Sequence, residues 1–307
     1  MPDQDKQGLY LSIGVTGHRD LVAEEIPVIE ERLRSFFKGL EEAYPKLPLQ
    51  LITPLAEGGD QIAAEIALAM GIQLVTVIPM EQAEYERDFS SAEGLETFHR
   101  LLERSEHTIV LPPVAEDMEM PYSARERALQ YAQLGVFTSD HCQILLALWD
   151  GKLGIETGGT GHVVKYHLTG QMDGLEGDPT PAGLLTDNEN DLVHHIVCSR
   201  SREGGEPEKG LTPLDAYWSS SRPEVESSAQ MPALYHELLK KLERFIQDWA
   251  DKTDVVRNRS SSLLENAPDL ELPTGSTLTD TLFQAADGLA IHYQLRVMSS
   301  LRAIHVL

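Results

Sequence analysis

The composition and charge of this chain exclude several classes of protein. Of its 307 residues, 41% are hydrophobic and 24% are charged, which is typical of a folded globular protein and not of a disordered segment. The formal net charge is -24, and a field of this sign repels nucleic acid and anionic membrane surfaces. We therefore expect no nucleic-acid partner, and a phosphate-bearing ligand would need a local positive site.

Strand-like runs alternate with helical patterns over the first two thirds of the chain. Short apolar runs predict strands over 9–15, 49–54, 73–79, 108–111, 142–149 and 192–197. Apolar residues spaced by three and four positions predict helices over 23–43, 61–70, 91–102 and 123–134. This alternation is typical of an α/β fold of Rossmann-like type, with a doubly wound, mostly parallel sheet.

The last third of the chain has a different composition. Segment 169–190 is rich in Gly, Pro, Asp and Asn, and segment 199–210 is similar, which predicts exposed loops. Additional C-terminal helices are predicted over 233–251 and from about 278 to 307, joined by a linker over 266–276. The resulting division is an α/β ligand-binding domain over 1–203, a linker or loop over 204–232, and a helical region over 233–307.

The first candidate site follows the first predicted strand, in the stretch IGVTGHRDL. Open α/β sheets bind ligands at the carboxyl ends of their strands. Glycine lets the backbone approach a ligand closely, and an arginine can hold a phosphate with two hydrogen bonds. The alternative is a tight turn whose arginine pairs with a surface carboxylate. The candidate ligand-binding residues are Gly14, Thr16, Gly17, His18 and Arg19.

The second candidate site follows the second predicted strand, in LAEGGDQIAAEIAL. Gly58 and Gly59 can expose backbone N–H groups at a helix N-terminus, where anions bind. We expect Asp60 to be the N-cap, and Glu57 can accept hydrogen bonds from ribose hydroxyl groups. The alternative is a glycine-rich turn followed by an ordinary helix cap.

The third candidate site follows the strand that ends at Trp149, in DGKLGIETGGTGHVV. Glycines and a hydroxyl group before a helix predicted to begin near Val163 are the components of a phosphate site made of backbone donors. The spacing matches neither GxxxxGK[ST] nor GxGxxG, and the alternative is a flexible surface loop. The candidate residues are Asp150, Gly158, Gly159, Thr160 and Gly161.

A weaker candidate follows the third predicted strand, where Tyr85, Arg87 and Asp88 either close over a ligand or begin a solvated helix. Metal and hydrolase motifs such as HExxH and GxSxG do not occur in the sequence. Cys142 and Cys198 lie in apolar runs without metal-ligand spacing, which predicts buried free thiols. We expect no metal and no other cofactor.

Together these motifs resemble the SLOG superfamily, which comprises Rossmann-like nucleotide-ligand domains related to the lonely-guy phosphoribohydrolases and to DprA. The resemblance covers about residues 9–200 and rests on GVTGHRDL, LAEGGDQIAAEIAL with VTVIPM, and LLALWDGKLGIETGGTGHVV in that order. It implies a pocket for a nucleotide-derived ligand that includes Gly17, Arg19, residues 57–60 and residues 158–161.

One departure from the family pattern bears on catalysis. The lonely-guy enzymes carry PGGxGTxxE, whose glutamate serves attack on the N-glycosidic bond. Here Thr157 replaces the proline, His162 stands in the place of the threonine and Lys165 in that of the glutamate. Hydrolysis thus lacks its usual acid or base. Glu57 could substitute for it, but the resemblance then favours binding without turnover, and we assign no catalytic residue.

The end of the chain bears on partners and location. TLFQAADGLAIHYQLRVMSSLRAIHVL is a long helical pattern with few charges. It predicts either an oligomer-forming or core helix, or a segment that leads into a membrane effector beyond residue 307. If the helix joins copies in a homo-oligomer, we expect Leu282, Leu289, Tyr293 and Leu301 to be exposed. With no basic or apolar signal region at the start, we expect a cytoplasmic protein, on the cytosolic face of the inner membrane if the chain continues into such a segment.

Two functions follow from these observations. The first is a sensor that binds a nucleotide-derived second messenger, a cyclic nucleotide or an ADP-ribose or NAD derivative. Such a sensor relays the signal to an effector, and the resemblance implies a role in bacterial antiviral defence. The second is a nucleoside 5'-monophosphate phosphoribohydrolase or N-glycosidase that uses Glu57 or Asp60.

Overall fold

The computed structural model of the chain describes residues 9–115, 118, 120–154, 157–172, 174, 191–263 and 276–305. Its strands are β1 (Leu11–Gly17), β2 (Leu49–Thr53), β3 (Gln73–Ile78), β4 (His107–Val110), β5 (Ile144–Trp149), β6 (Val193–Val197) and β7 (Ala216–Ser219). Its helices are α1 (Ile26–Ala43), α2 (Gly59–Ala69), α3 (Gln82–Tyr85), α4 (Ala92–Leu102), α5 (Ala124–Asp140), α6 (Thr160–Thr169), α7 (Ala233–Asp251), α8 (Thr253–Arg257) and α9 (Ser276–His305). Short 3-10 turns occupy Ala23–Glu25 and Glu86–Asp88.

The strands form one mostly parallel sheet in the order β4-β3-β2-β1-β5-β6-β7, within the described residues. Neighbours from β4 to β6 pair in parallel, and β7 pairs antiparallel with β6. The chain adds strands on one side of β1 up to β4 and then crosses to the other side with β5. The predicted Rossmann-like α/β fold is confirmed, and its switch point lies between β1 and β5.

Sequence signals account for the starts of several helices. Pro27 lies in the first turn of α1, where its missing N–H removes no helical hydrogen bond. Ser91 caps α4 by accepting a hydrogen bond from the Gly94 N–H at 2.9 Å. Ser123 and Glu126 form a reciprocal capping box at the start of α5. These local interactions fix where the chain turns from loop to helix.

The predicted element boundaries differ from the observed ones by a few residues. Helix α6 begins at Thr160 and not near Val163, and α5 continues to Asp140. Strand β7 was not predicted and lies inside the segment 204–232 expected to be a linker. Most of the predicted loop 169–190 and all but the last residue of the predicted linker 266–276 lie outside the described residues.

The centre of the sheet is buried on both faces. Every residue of β5 is buried, as is every residue of β6, which is expected for parallel strands covered by helices. Cys142 and Cys198 are free and fully buried at the ends of these strands, as predicted. At one margin β4 pairs with β3 alone among the described residues, and all four of its residues are exposed.

The chain divides into two units, residues 10–236 and residues 1–9 with 237–307, and the division falls within α7. The second unit has its own small apolar core, in which Val256 of α8 packs with Ala285 and Leu289 of α9. Phe245 and Trp249 of α7 pack against this core. Leu289 is therefore buried and not exposed as expected.

Other apolar side chains of α9 are exposed in the described residues. They are Phe283, Tyr293, Leu295, Val297 and Met298, at 38% to 58% of their full accessible surface. The side chain of Leu301 lies outside the described residues, and Leu282 is half-buried. In the part of the chain that the structure describes, none of the helices combines the length and the apolar character needed to cross a bilayer.

Two glycines of the unit formed by residues 10–236 give a test of the packing around β1. A Cβ added at Gly14 would lie 2.8 Å from both Cys142 Sγ and Thr138 Cγ2, whereas a Cβ added at Gly39 of α1 meets nothing within 4 Å. We expect Gly14→Ala to lower the free energy of unfolding by about 1–3 kcal/mol through overpacking. Gly39→Ala should raise it by about 0.5–1 kcal/mol through helix propensity.

Urea unfolding of both variants beside the wild type measures these changes. If Gly14→Ala were neutral, the close packing of β1 on the segment before β5 would be contradicted.

Candidate functional site

A cavity of about 410 Å³ lies at the carboxyl ends of β1 and β5. Its walls come from the turns after β1, β2 and β5, from one face of α5, from the start of α6 and from the loop after β6. Apolar side chains, including Val15, Pro54, Leu134 and Val163, form part of the lining. The cavity thus sits at the switch point of the sheet, where α/β folds place their ligands.

Ten of the residues expected from the sequence line this cavity. They are Thr16, Gly17, His18, Arg19, Asp60, Asp150, Gly158, Gly159, Thr160 and Gly161. The structure therefore brings together turns that are more than 130 residues apart in the sequence. Binding of a ligand by these residues stays a prediction.

Four of the expected residues do not line the cavity, namely Gly14, Glu57, Gly58 and Gly59. Gly14 faces Cys142, as described above. The two carboxylate oxygens of Glu57 accept hydrogen bonds from the backbone N–H and hydroxyl groups of Ser90 and Ser91, at 2.7–3.0 Å. These bonds lower the pKa of Glu57 although its partial burial acts against them. Glu57 therefore holds the residues at the N-terminus of α4 by hydrogen bonds, and it does not line the cavity.

Gly58 and Gly59 bring two turns into close contact. Gly58 has a φ of +83°, and a Cβ there would lie 2.4 Å from the Arg19 carbonyl oxygen. The Gly59 N–H donates a hydrogen bond to the carbonyl oxygen of His18 at 3.0 Å. These glycines hold the β1 turn against the start of α2 and thereby set the position of the side chains that line the cavity.

Asp60 lies in the first turn of α2 and is only 3% exposed. The N-cap of this helix is Gly58, so the expectation that Asp60 is the N-cap is wrong. Burial raises the pKa of Asp60 to about 8, although the positive charge of Arg19 acts in the opposite direction. The carboxyl group is thus mainly protonated at pH 7 and presents a neutral hydrogen-bonding group to the cavity.

His18 and Asp150 form a buried pair at the ends of the adjacent strands β1 and β5. The His18 Nε2 atom lies 3.1 Å from Asp150 Oδ1, and the Lys152 N–H donates to the same oxygen at 3.0 Å. Burial lowers the pKa of His18, while Asp150 acts to raise it. The imidazole is therefore mostly neutral at pH 7.

Four cationic side chains line the cavity: Arg19, Lys152, Arg200 and Arg202. The Arg200 Nε atom donates to Asp20 Oδ1 at 2.7 Å, which ties the loop after β6 to the turn after β1. Because Asp60 is mainly protonated, the remaining carboxylates in the lining are Asp20 and Asp150. The cavity is locally positive in a chain of net charge -24.

The sequence motifs did not identify Arg200 and Arg202 as residues of the site. They stand directly after the predicted strand 192–197, in the run SRSR. Basic residues at the carboxyl end of a predicted strand are the signal that could have identified them.

The start of α6 supplies backbone groups to the cavity. Gly159 is the N-cap of this helix, and it forms no side-chain capping hydrogen bond. Gly158 has a φ of +79°, and a Cβ there would lie 2.6 Å from the Tyr131 Cβ. A Cβ on Gly161 would lie 2.7 Å from the Lys152 carbonyl oxygen. The glycines therefore allow the positive end of the helix dipole to lie at the cavity wall.

The weaker candidate residues do not line the cavity. Tyr85 is fully buried and donates to the Pro54 carbonyl oxygen at 3.1 Å. Arg87 pairs with Glu84 at 2.7 Å. Asp88 accepts a hydrogen bond from the hydroxyl group of Tyr131, which does line the cavity.

Comparisons with known proteins add a distant likeness of fold. No protein-family model matches the sequence, and the search of curated proteins finds no match. Among solved structures, the chain is similar to DNA processing protein A (DprA) from Streptococcus pneumoniae, at 14% identity and a TM-score of 0.31. The alignment covers 45% of this chain and 41% of the DprA chain. This likeness concerns the fold alone.

The raised pKa of Asp60 gives a prediction about pH. The ordinary pKa of 3.8 applies in the unfolded chain, whereas the folded protein holds this proton up to about pH 8. Folding takes up a proton between these values, so the contribution of Asp60 to the free energy of unfolding falls as the pH rises from 4 to 8. Asp60→Asn removes this titration. We expect the stability of Asp60→Asn, relative to the wild type, to increase from pH 5 to pH 8.

Urea unfolding at pH 5, 6, 7 and 8 measures the difference. Glu31→Gln, an exposed carboxylate on α1, serves as the control and should show no such trend. A difference between Asp60→Asn and the wild type that stayed constant with pH would show that Asp60 is ionised in the folded protein at neutral pH.

Proposed function

We propose that the unit formed by residues 10–236 binds a nucleotide-derived small molecule in the cavity between β1 and β5. The observation that carries this proposal is the convergence of Arg19, the glycine-rich start of α6 and an apolar wall on one cavity. Cationic side chains and backbone N–H groups suit phosphate oxygens. Apolar side chains such as Val15 and Leu134 suit the face of a nucleobase or ribose.

The distribution of charge supports a small ligand over a polymeric one. The chain carries 49 acidic and 25 basic residues, so its long-range field opposes a polyanion such as nucleic acid. Inside the cavity the four cations act at short range, where they outweigh that field. A ligand with one or a few phosphate groups fits both conditions.

We further propose that this ligand is a second messenger, a cyclic nucleotide or an ADP-ribose or NAD derivative, and that binding is relayed to an effector in bacterial antiviral defence. The resemblance of the three motifs to the SLOG superfamily supports this finer assignment. The contacts of Glu57 support binding without turnover, because its carboxylate accepts hydrogen bonds from Ser90 and Ser91 and Glu57 does not line the cavity. Lys165 does not line it either.

A second candidate is hydrolysis of an N-glycosidic bond, and Asp60 is the observation that favours it. Its carboxyl group lines the cavity and is mainly protonated at pH 7, which is the form that a general acid requires. In this reaction Asp60 would protonate the departing base as the bond between the base and the anomeric carbon breaks. Water would attack that carbon, and the Asp60 carboxylate would take up the proton that the water releases.

A thermal-shift panel tests the first proposal. It contains AMP, cyclic AMP, ADP-ribose, NAD and cyclic dinucleotides, with sulfate as the bare anion. A ligand that binds only the folded state raises the unfolding midpoint by mass action. Chromatography of the same mixtures for free base separates the two candidates: a shift without release supports the sensor, and release that Asp60→Asn abolishes supports the hydrolase.

Arg19 gives the sharpest mutational test of the site. Arg19 lines the cavity and is exposed at its rim, so Arg19→Ala should leave the chain folded, with the unfolding midpoint lowered only by the loss of its hydrogen bonds to Asp88 and Tyr131. Loss of a charged, two-point phosphate contact should weaken nucleotide binding by about 2 kcal/mol, or roughly 30-fold. Isothermal titration with the ligand found in the panel measures it.

The matched control is Arg34→Ala, which removes an exposed arginine that pairs with Glu30 on α1. It should not change the affinity. Normal binding by Arg19→Ala would contradict the site.

We also propose that copies of the chain associate through α9 into a homo-oligomer. The exposed apolar side chains Leu295, Val297 and Met298 support this, since such surfaces commonly mediate association. Leu295→Glu with Val297→Glu should lower the mass measured by light scattering to that of one chain, with ligand binding retained. The control is a pair of charge changes on the outer face of α1, Arg34→Glu with Lys38→Glu. An unchanged mass in the α9 variant would contradict association through this helix.

A further inference from the structure

The guanidinium group of Arg19 is held by residues that follow it by about 70 and 110 positions. Its Nη1 atom donates to the carbonyl oxygen of Asp88 at 3.1 Å, and its Nη2 atom donates to the hydroxyl group of Tyr131 at 3.0 Å. The Arg19 Cζ atom also lies 5.4 Å from the centre of the Tyr131 ring. Each contact comes from an element other than the turn that carries Arg19.

Tyr131 is in turn fixed by Asp88. Its hydroxyl group donates to Asp88 Oδ2 at 2.6 Å, so the oxygen's lone pairs are directed to the N–H of Arg19. Burial and the nearby Asp88 raise the pKa of Tyr131, although Arg19 acts against them. The hydroxyl group therefore keeps its proton and its direction.

Asp88 is held by a further cation. The Arg127 Nε atom donates to Asp88 Oδ1 at 3.0 Å, and Arg127 Nη2 lies 2.6 Å from Asp88 Oδ2. Arg127 also forms a salt bridge with Glu84, which is only 6% exposed. The result is a row of alternating charges, Glu84, Arg127, Asp88 and Arg19, with the Tyr131 hydroxyl group between the last two.

An arginine side chain has five N–H donors, and the bonds above use two of those on Arg19. The other donors stay on a guanidinium plane whose orientation is already set. A side chain fixed before the ligand arrives loses less conformational entropy on binding. The contacts that fix Arg19 therefore bear on affinity although Asp88 does not line the cavity.

We propose that Tyr131 and Asp88 are positioning residues of the nucleotide site, which hold the Arg19 guanidinium group in the orientation that meets a phosphate. This inference rests on the proposed function for its consequence, and on the hydrogen bonds for its geometry. It gives an indirect role to Asp88, which the sequence analysis named as a weaker candidate and which does not line the cavity.

The first test needs no ligand. In NMR spectra of the full chain, the Nη–Hη signals of Arg19, assigned with Arg19→Lys, should be resolved, because both nitrogens are hydrogen-bonded. Tyr131→Phe should merge or broaden them. Tyr166→Phe is the matched control, since it removes a hydroxyl group that donates to Asp140 at 3.0 Å outside the cavity, and it should change nothing. Freely rotating Arg19 signals in the wild type would overturn the positioning role.

The second test is a double-mutant cycle with ADP-ribose, and with inorganic pyrophosphate as the bare anion, followed by isothermal titration. We expect Tyr131→Phe to weaken binding about tenfold in the wild-type background and to have no further effect in Arg19→Ala, because it acts through Arg19. Independent, multiplying effects would overturn the proposal. Asp88→Asn, which keeps a carbonyl acceptor for the Tyr131 hydroxyl group, should weaken binding less than Tyr131→Phe.

The two proposals fail in different ways. If the NMR signals show a held guanidinium group but neither probe binds, the nucleotide site is wrong and the positioning of Arg19 stands. If the probes bind and the cycle shows no coupling, the nucleotide site stands and the positioning role is wrong.

Discussion

The close approach of two glycine-containing turns is the constraint on which the rest of the site depends. A Cβ at Gly17 would lie 3.0 Å from the Gly59 Cα, and one at Gly58 would lie 2.6 Å from the His18 carbonyl oxygen. No side chain fits between these backbones, so the turn after β1 rests directly on the start of α2. This contact sets the distance between Arg19 and the first turn of α2, where the buried carboxyl group lies. The close packing of these glycines holds the turn after β1 against α2.

The same contact gives the cavity its electrostatic character. Burial beneath the turn favours the neutral form of Asp60, which removes a negative charge that would otherwise face Arg19. The salt bridge between Arg200 and Asp20 then adds the loop after β6 to the same wall. A strongly acidic chain thereby maintains a small region of positive potential, because burial and pairing act on individual groups while net charge acts at long range.

The sequence predicted the sheet and the three turns at its carboxyl edge because both depend on local patterns. Apolar runs identify the central strands, and glycines after a strand identify turns that end at the switch point. Strand β7 could not be found in this way, since its four residues pair with β6 only through the tertiary fold. The roles of Glu57 and Tyr131 depend on partners 33 and 112 residues away, Ser90 and Arg19. Single-sequence patterns carry no information about such partners.

The exposed margin of the sheet has a consequence for the behaviour of the protein at high concentration. Among the described residues, strand β4 pairs with β3 alone and leaves Ile109 and Val110 at 37% and 49% exposure. Such an open strand edge is a template for pairing with another chain. The residues just before it, Glu103, Arg104 and Glu106, are charged and exposed, and such residues oppose aggregation. Salt shortens the reach of surface charges to about 10 Å at 0.1 M and about 3 Å at 1 M. The solubility of this acidic chain therefore depends on ionic strength, and the β4 edge is one surface, beside the exposed apolar side chains of α9, at which concentrated salt would promote self-association.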